Sequence, residues 1–119
     1  MSELKTLREQ LAAQQDIVAI KSLSIKTAAK FSKSGSKRTV RVTWTPSEKI
    51  SGVKYQLYKS TKKSSGYKKL AVASGTTFRN TSSLSKNKTY YYKVRAYKYI
   101  KGKYYYSSWS NAASCKVRK

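Results

Sequence analysis

The chain has no histidine, one cysteine, one proline and four acidic residues among 119 positions. The missing histidine removes the commonest general base and metal ligand near neutral pH. A single cysteine, Cys115, excludes an internal disulfide. The acids are Glu3, Glu9, Asp16 and Glu48. Scattered in this way and joined by one cysteine, they form neither a paired-carboxylate site nor a familiar metal cluster. Serines and threonines are plentiful, but no activating base accompanies them. The five glycines (35, 52, 66, 75 and 102) are dispersed, so no phosphate-cradling loop is present. No catalytic residue, cofactor or metal is therefore expected. Apolar runs long enough to span a bilayer are also absent. The start, SELKTLREQLAAQQD, is polar and lacks the apolar segment of a secretory signal, so synthesis in the cytoplasm of its maker is expected.

What the chain has in excess is positive charge and tyrosine. It carries 27 Lys and Arg against four acids, a formal charge of +23, and eleven tyrosines. The charge is uneven. Residues 1–16 hold three acids and two bases (Lys5 and Arg8), giving −1, and residues 17–119 hold 25 bases and one acid, giving +24. Such a body repels its own copies and attracts polyanions: nucleic acid, acidic wall polymers, anionic membranes or acidic protein surfaces.

The composition shift marks two regions, a helical arm at 1–16 and a β-rich body at 17–119. In the arm, Ser2 suits an N-cap, Glu3 suits the first turn, and Leu4, Leu7 and Leu11 share one face at helical spacing. A helix of that length needs something to pack on. It either folds back on its own domain or frays, or it docks on a partner or on another copy of the chain, with Leu4, Leu7 and Leu11 as contact residues.

Beyond residue 16 the pattern has period two. Expected strands are 18–27, 38–45, 53–59, 67–74, 76–80, 88–99 and 103–117, separated by turn-rich segments. Seven short strands with no helix between them predict an all-β, antiparallel sandwich. Parity assigns the core: Val40, Val42 and Trp44; Tyr55 and Leu57; Tyr90, Tyr92, Val94 and Ala96. Cys115 shares parity with Val117, which predicts a packed thiol.

The stretch TYYYKVRAYKYIKGKYYYSSWS reads as a hairpin turning at Lys101 and Gly102. That register sets Tyr97 against Tyr106 and Tyr99 against Tyr104, and it sends Trp109 into the core opposite Val94. The outward side would then carry Tyr97, Tyr99, Tyr104 and Tyr106 above Lys93 and Arg95, extended by Tyr58 and Lys54. This is either ordinary cross-strand pairing or a contact patch. Stacking on nucleic acid is a weaker fit, because the lysines are spread over every strand and loop.

Several segments carry a family resemblance: VRVTWTPS, VKYQLYKS, GYKKLAVAS, TTFRN and LSKNKTYYYKVRAY, in that order. From about residue 18 to 119 the chain resembles a fibronectin type III (Fn3-like) domain. It looks most like the Lys- and Tyr-rich version of Gram-positive bacteria and their phages. The resemblance implies that Tyr90, six residues after Leu84, is a tyrosine corner bonding back to nearby backbone. No Arg-Gly-Asp sits in the hairpin turn, so integrin-type adhesion gets no support. Fold alone does not give function. The expectation is a non-enzymatic structural or binding module. It would be a capsid-decoration or tail-associated protein of a tailed-phage virion, attached by the arm to a protein surface, acidic in character, of the larger assembly. Two alternatives stay open: a module at the bacterial cell surface binding teichoic acid or acidic glycan, and a nonspecific nucleic-acid-binding protein.

Overall fold

The computed structural model describes residues 2–35, 37–81 and 84–117, with side chains from Leu7 onward and without that of Ser34. Among the described residues, one helix, α1 (Ser2–Ser22), precedes eight strands. They are β1 (Ile25–Ser34), β2 (Lys37–Pro46), β3 (Lys54–Ser60), β4 (Lys68–Ala73), β5 (Thr77–Asn80), β6 (Thr89–Ile100), β7 (Lys103–Tyr106) and β8 (Ala113–Lys116). All pairings are antiparallel. One sheet has the order β1-β2-β5. The other runs β4-β3-β6, with β7 and then β8 along the same edge of β6. The seven expected strands become eight because the last one is broken into β7 and β8.

The core lies where the sheets face each other. Val40, Val42 and Trp44 of β2 meet Tyr55 and Leu57 of β3 and Tyr90, Tyr92, Val94 and Ala96 of β6, all buried. The rings of Trp44 and Tyr55 meet across the sheets at 5.7 Å. The Tyr92 hydroxyl donates to Asn80 Oδ1 at 2.9 Å, which satisfies a polar group on a fully buried ring. Burial pushes the Tyr92 phenol upward, so it remains a neutral donor. Cys115 and Val117 are both buried, and burial also pushes the Cys115 thiol up, as a packed rather than a reactive sulfur requires.

The corner forms as the resemblance implied. The Ser85 backbone N–H donates to the Tyr90 hydroxyl at 2.8 Å. Burial raises the Tyr90 phenol, but the Ser85 bond and the nearby Lys59 and Lys88 charges outweigh it and leave it lowered. The hairpin turn also forms as expected: Lys101 and Gly102 both have positive φ, which two-residue hairpins favour.

The N-terminal region differs from expectation. Residues 18–22 are helical and β1 starts at Ile25, so no strand spans 18–27. The helix crosses the expected 16/17 boundary. The alternation of Val18 and Ile20 resembled a strand, but the partly or fully buried residues are Ala13, Asp16, Ile17, Ala19 and Ile20, one side of a helix. Ile20 is 0% exposed and, with Leu23, belongs to the sandwich core.

Candidate binding surface

The β6–β7 hairpin extends past the main core, and its two sides are treated differently. The inner side is covered by α1. Asp16 accepts from Lys98 Nζ at 3.0 Å, Glu9 lies 3.9 Å from Lys101, and Lys21 approaches the Tyr105 ring at 5.9 Å. Ile100 is buried there. Two of the four acids thus pin the nearly neutral arm to a basic hairpin, although the exposed Glu9–Lys101 pair contributes little on its own.

The docked face of α1 lies opposite its leucine face. At 100° per residue, positions 9, 16 and 20 cluster on one side and positions 7, 11 and 18 on the other. Leu7, Leu11 and Val18 are 56%, 63% and 56% exposed. Leu4 lies outside the described side chains. Sequence reasoning offered folding back or docking as alternatives. The structure uses one face of the helix for the first and leaves the other face open.

The outer side of the hairpin carries a continuous stack. Tyr97 lies against Tyr106 and Tyr104 at 6.0 Å each, and Tyr99 meets Tyr104 edge-on at 4.7 Å. The Arg95 guanidinium sits between the rings of Tyr106 (4.1 Å) and Trp109 (4.6 Å). Lys93 lies over Trp109 (4.5 Å) and Tyr67 (4.3 Å). Tyr58 meets Trp109 edge-on at 4.8 Å. Arg95 Nε also donates to Gln56 Oε1 at 2.8 Å. Every sheet-face residue singled out from sequence therefore falls in one patch: Tyr58, Lys93, Arg95, Tyr97, Tyr99, Tyr104 and Tyr106. Cations within about 6 Å of a ring face attract it, so the rows of rings are held by interleaved charge. The patch offers rigid, amphipathic area and hydrogen-bond donors, properties that suit a contact surface.

Trp109 is the hub of the stack and was misplaced by sequence reasoning. Between the Tyr97–Tyr106 and Tyr92–Ala113 pairs, β6 uses five steps and the returning chain seven. The two extra residues bulge the returning chain, and the first slip turns Trp109 outward. Ser107 and Ser110 take the inward positions instead. Their hydroxyls accept the backbone N–H groups of Ala96 (2.8 Å) and Val94 (2.9 Å), and their own N–H groups donate to the same residues' carbonyls. Asn111 then ties the bulge to β1 by reciprocal 2.9 Å bonds with the Thr27 backbone. Small polar residues around Trp109, at positions facing Val94 and Ala96, were the available signal. Tyr67 and Gln56 were also missed, because their link to the face is made only in three dimensions.

A recess of about 230 Å³ lies at the hairpin end of the patch, among Gly52, Lys54, Tyr97, Lys98, Tyr99 and Tyr104. A larger one of about 530 Å³ lies on the outer side of the other sheet, lined by Lys30, Ser32, Lys37, Thr39, Arg41, Arg79 and Thr81. Among the described residues no group of His, Cys, Asp and Glu could hold a metal ion. No helix among them is long and apolar enough to cross a membrane.

No protein-family profile matches the chain, and no curated protein matches it. Solved structures do. An Fn3-like protein from Clostridium thermocellum is 25% identical with a TM-score of 0.57, over 78% of this chain and 88% of that one. Titin domains A168–A170 are 20% identical with a TM-score of 0.58, over 81% of this chain and 32% of theirs. Pectate lyase Pel3 from Pectobacterium carotovorum is 22% identical with a TM-score of 0.52, over 75% of this chain but only 26% of the enzyme. Together with the two antiparallel sheets and the tyrosine corner, these similarities show that the chain folds as an Fn3-like β-sandwich.

Proposed function

We propose that this chain is a non-catalytic accessory module of a larger particle, a tailed-phage virion in capsid-decoration or tail-associated position. It is held there through α1 and presents the ring-and-cation face of the β3–β6–β7 sheet outward. The observation that carries this reading is the two-sided helix. Glu9, Asp16 and Ile20 fix α1 to the sandwich, while Leu7, Leu11 and Val18, on the opposite helix face, are more than half exposed. Large apolar residues held at helical spacing on a projecting element suit a groove on a partner. The molecule is 65 Å long and 27 by 22 Å across, and α1 lies along the β6–β7 hairpin.

The occupant of that helix face is a protein surface with an apolar groove and an acidic surround. Another copy of the chain fits less well, since each carries +23 and like charges oppose association. Sedimentation of the purified chain with particles tests the reading. Leu7→Gln with Leu11→Gln is expected to abolish co-sedimentation while leaving the unfolding midpoint unchanged, because both side chains are exposed. Undiminished co-sedimentation of that variant would remove the arm from the account. A second reading, a cell-surface module gripping an acidic polymer, is favoured by the basic face of the other sheet.

A further inference from the structure

The outward face of β1, β2 and β5 has an unusual arrangement of charge. Lys30 pairs across the ladder with Arg41, and Arg41 pairs with Arg79. Directly opposed residues share a face, so three cations stand in one row across three adjacent strands, about 5 Å from one to the next. Like charges in that position destabilise a sheet. None of the chain's four acids belongs to these strands, and no ion pair among the described residues involves the row. The next row along holds Ser32 opposite Thr39, followed by Lys37. Cations and hydroxyls together line the 530 Å³ recess.

From this we infer that the recess binds a flexible phosphodiester chain that carries no stacking bases. An oxyanion seated in the row offsets the mutual repulsion of the three cations. Arg41 and Arg79 offer forked donors suited to phosphate oxygens, and the serine and threonine hydroxyls add donors from the neighbouring row. The outward positions of these strands carry only Lys, Arg, Ser, Thr and Ala, while Phe31, Trp44 and Phe78 point inward. A nucleobase or a flat sugar ring therefore finds no aromatic partner here. A polyol phosphate needs none. This site lies on the opposite sheet from the tyrosine stack and shares no residue with it or with α1, so the two readings stand or fall separately.

The test is a titration of the full chain, near 50 mM salt, with poly(glycerol phosphate), with oligo-dT of equal phosphate number and with polygalacturonate. The expected order places poly(glycerol phosphate) tightest. Arg41→Thr with Arg79→Thr is expected to weaken it about tenfold and to lower the salt slope by roughly two. Lys62→Thr with Lys63→Thr removes the same charge from a distant loop and should change affinity less than about threefold on the same grounds. An equal loss in both double variants would reduce the binding to net charge and overturn the proposal. Oligo-dT or polygalacturonate binding as tightly would overturn the ligand class. Threonine is well suited to strands, and the arginine variant should melt at or above the wild-type midpoint. A lower midpoint would contradict the repulsion on which the proposal rests.

Discussion

Replacing Ile20 with alanine is expected to destabilise the entire sandwich by about 2–5 kcal/mol, the usual cost of deleting a fully buried aliphatic side chain. Ile20 is helical in α1, yet it is 0% exposed and packed in the same cluster as Leu23, Val42, Trp44 and Tyr92. The loss combines removed apolar contact with the cavity left behind. Against a total stability of about 5–15 kcal/mol for a domain, it would be a large fraction. Urea unfolding followed by tryptophan fluorescence reads it directly. Leu11→Ala is the companion measurement, and because Leu11 is exposed its midpoint should shift by less than about 0.5 kcal/mol. If Ile20→Ala behaved like Leu11→Ala, α1 would be an independent appendage, and the helix would not be fixed to the sandwich.

The second large effect belongs to Trp109→Ala, expected to cost about 2 kcal/mol. Trp109 makes an edge contact with Tyr58 and receives Lys93 and Arg95 on its ring. An aromatic pair contributes about 0.5–1.5 kcal/mol. Each partly exposed cation adds about 0.5–1 kcal/mol. The shift in thermal midpoint should be on the order of 10 °C for a domain of this size. Arg95→Lys is expected to lose a smaller part, because a point charge replaces a planar group stacked between two rings. A near-zero effect of Trp109→Ala would mean that the stack is a loose collection of surface rings, and the preorganisation argued for this face would be absent.

The strand faces were readable because alternation is a direct consequence of strand geometry. Tyr90, Tyr92, Val94 and Ala96 could only be inward, since Lys93 and Arg95 occupied the other side. The turn at Lys101 and Gly102 fixed the Tyr97–Tyr106 and Tyr99–Tyr104 pairs, and the patch followed. Legibility ended where the register changed. A bulge is set by tertiary bonds from Ser107, Ser110 and Asn111, announced locally only by the small polar residues around Trp109, and one slipped residue was enough to move Trp109 from core to surface. The helix end was hidden for a related reason. Val18 and Ile20 satisfy a period of two as well as opposite faces of a helix, and only the partial burial of Ala13 and Ile17 with the full burial of Ile20 distinguishes the two. The row formed by Lys30, Arg41 and Arg79 was invisible because its members lie on three strands whose pairing had to be known first.

In the proposed function, α1 attaches the domain and the tyrosine stack faces away. Co-sedimentation of two variants with the particle tests it most directly: Leu7→Gln/Leu11→Gln in the helix and Tyr99→Ser/Tyr104→Ser in the stack. The expected result is loss of particle binding for the helix variant and full retention for the stack variant, with both folded like the wild type. The opposite pattern, in which the stack variant is released and the helix variant stays bound, would contradict the assignment.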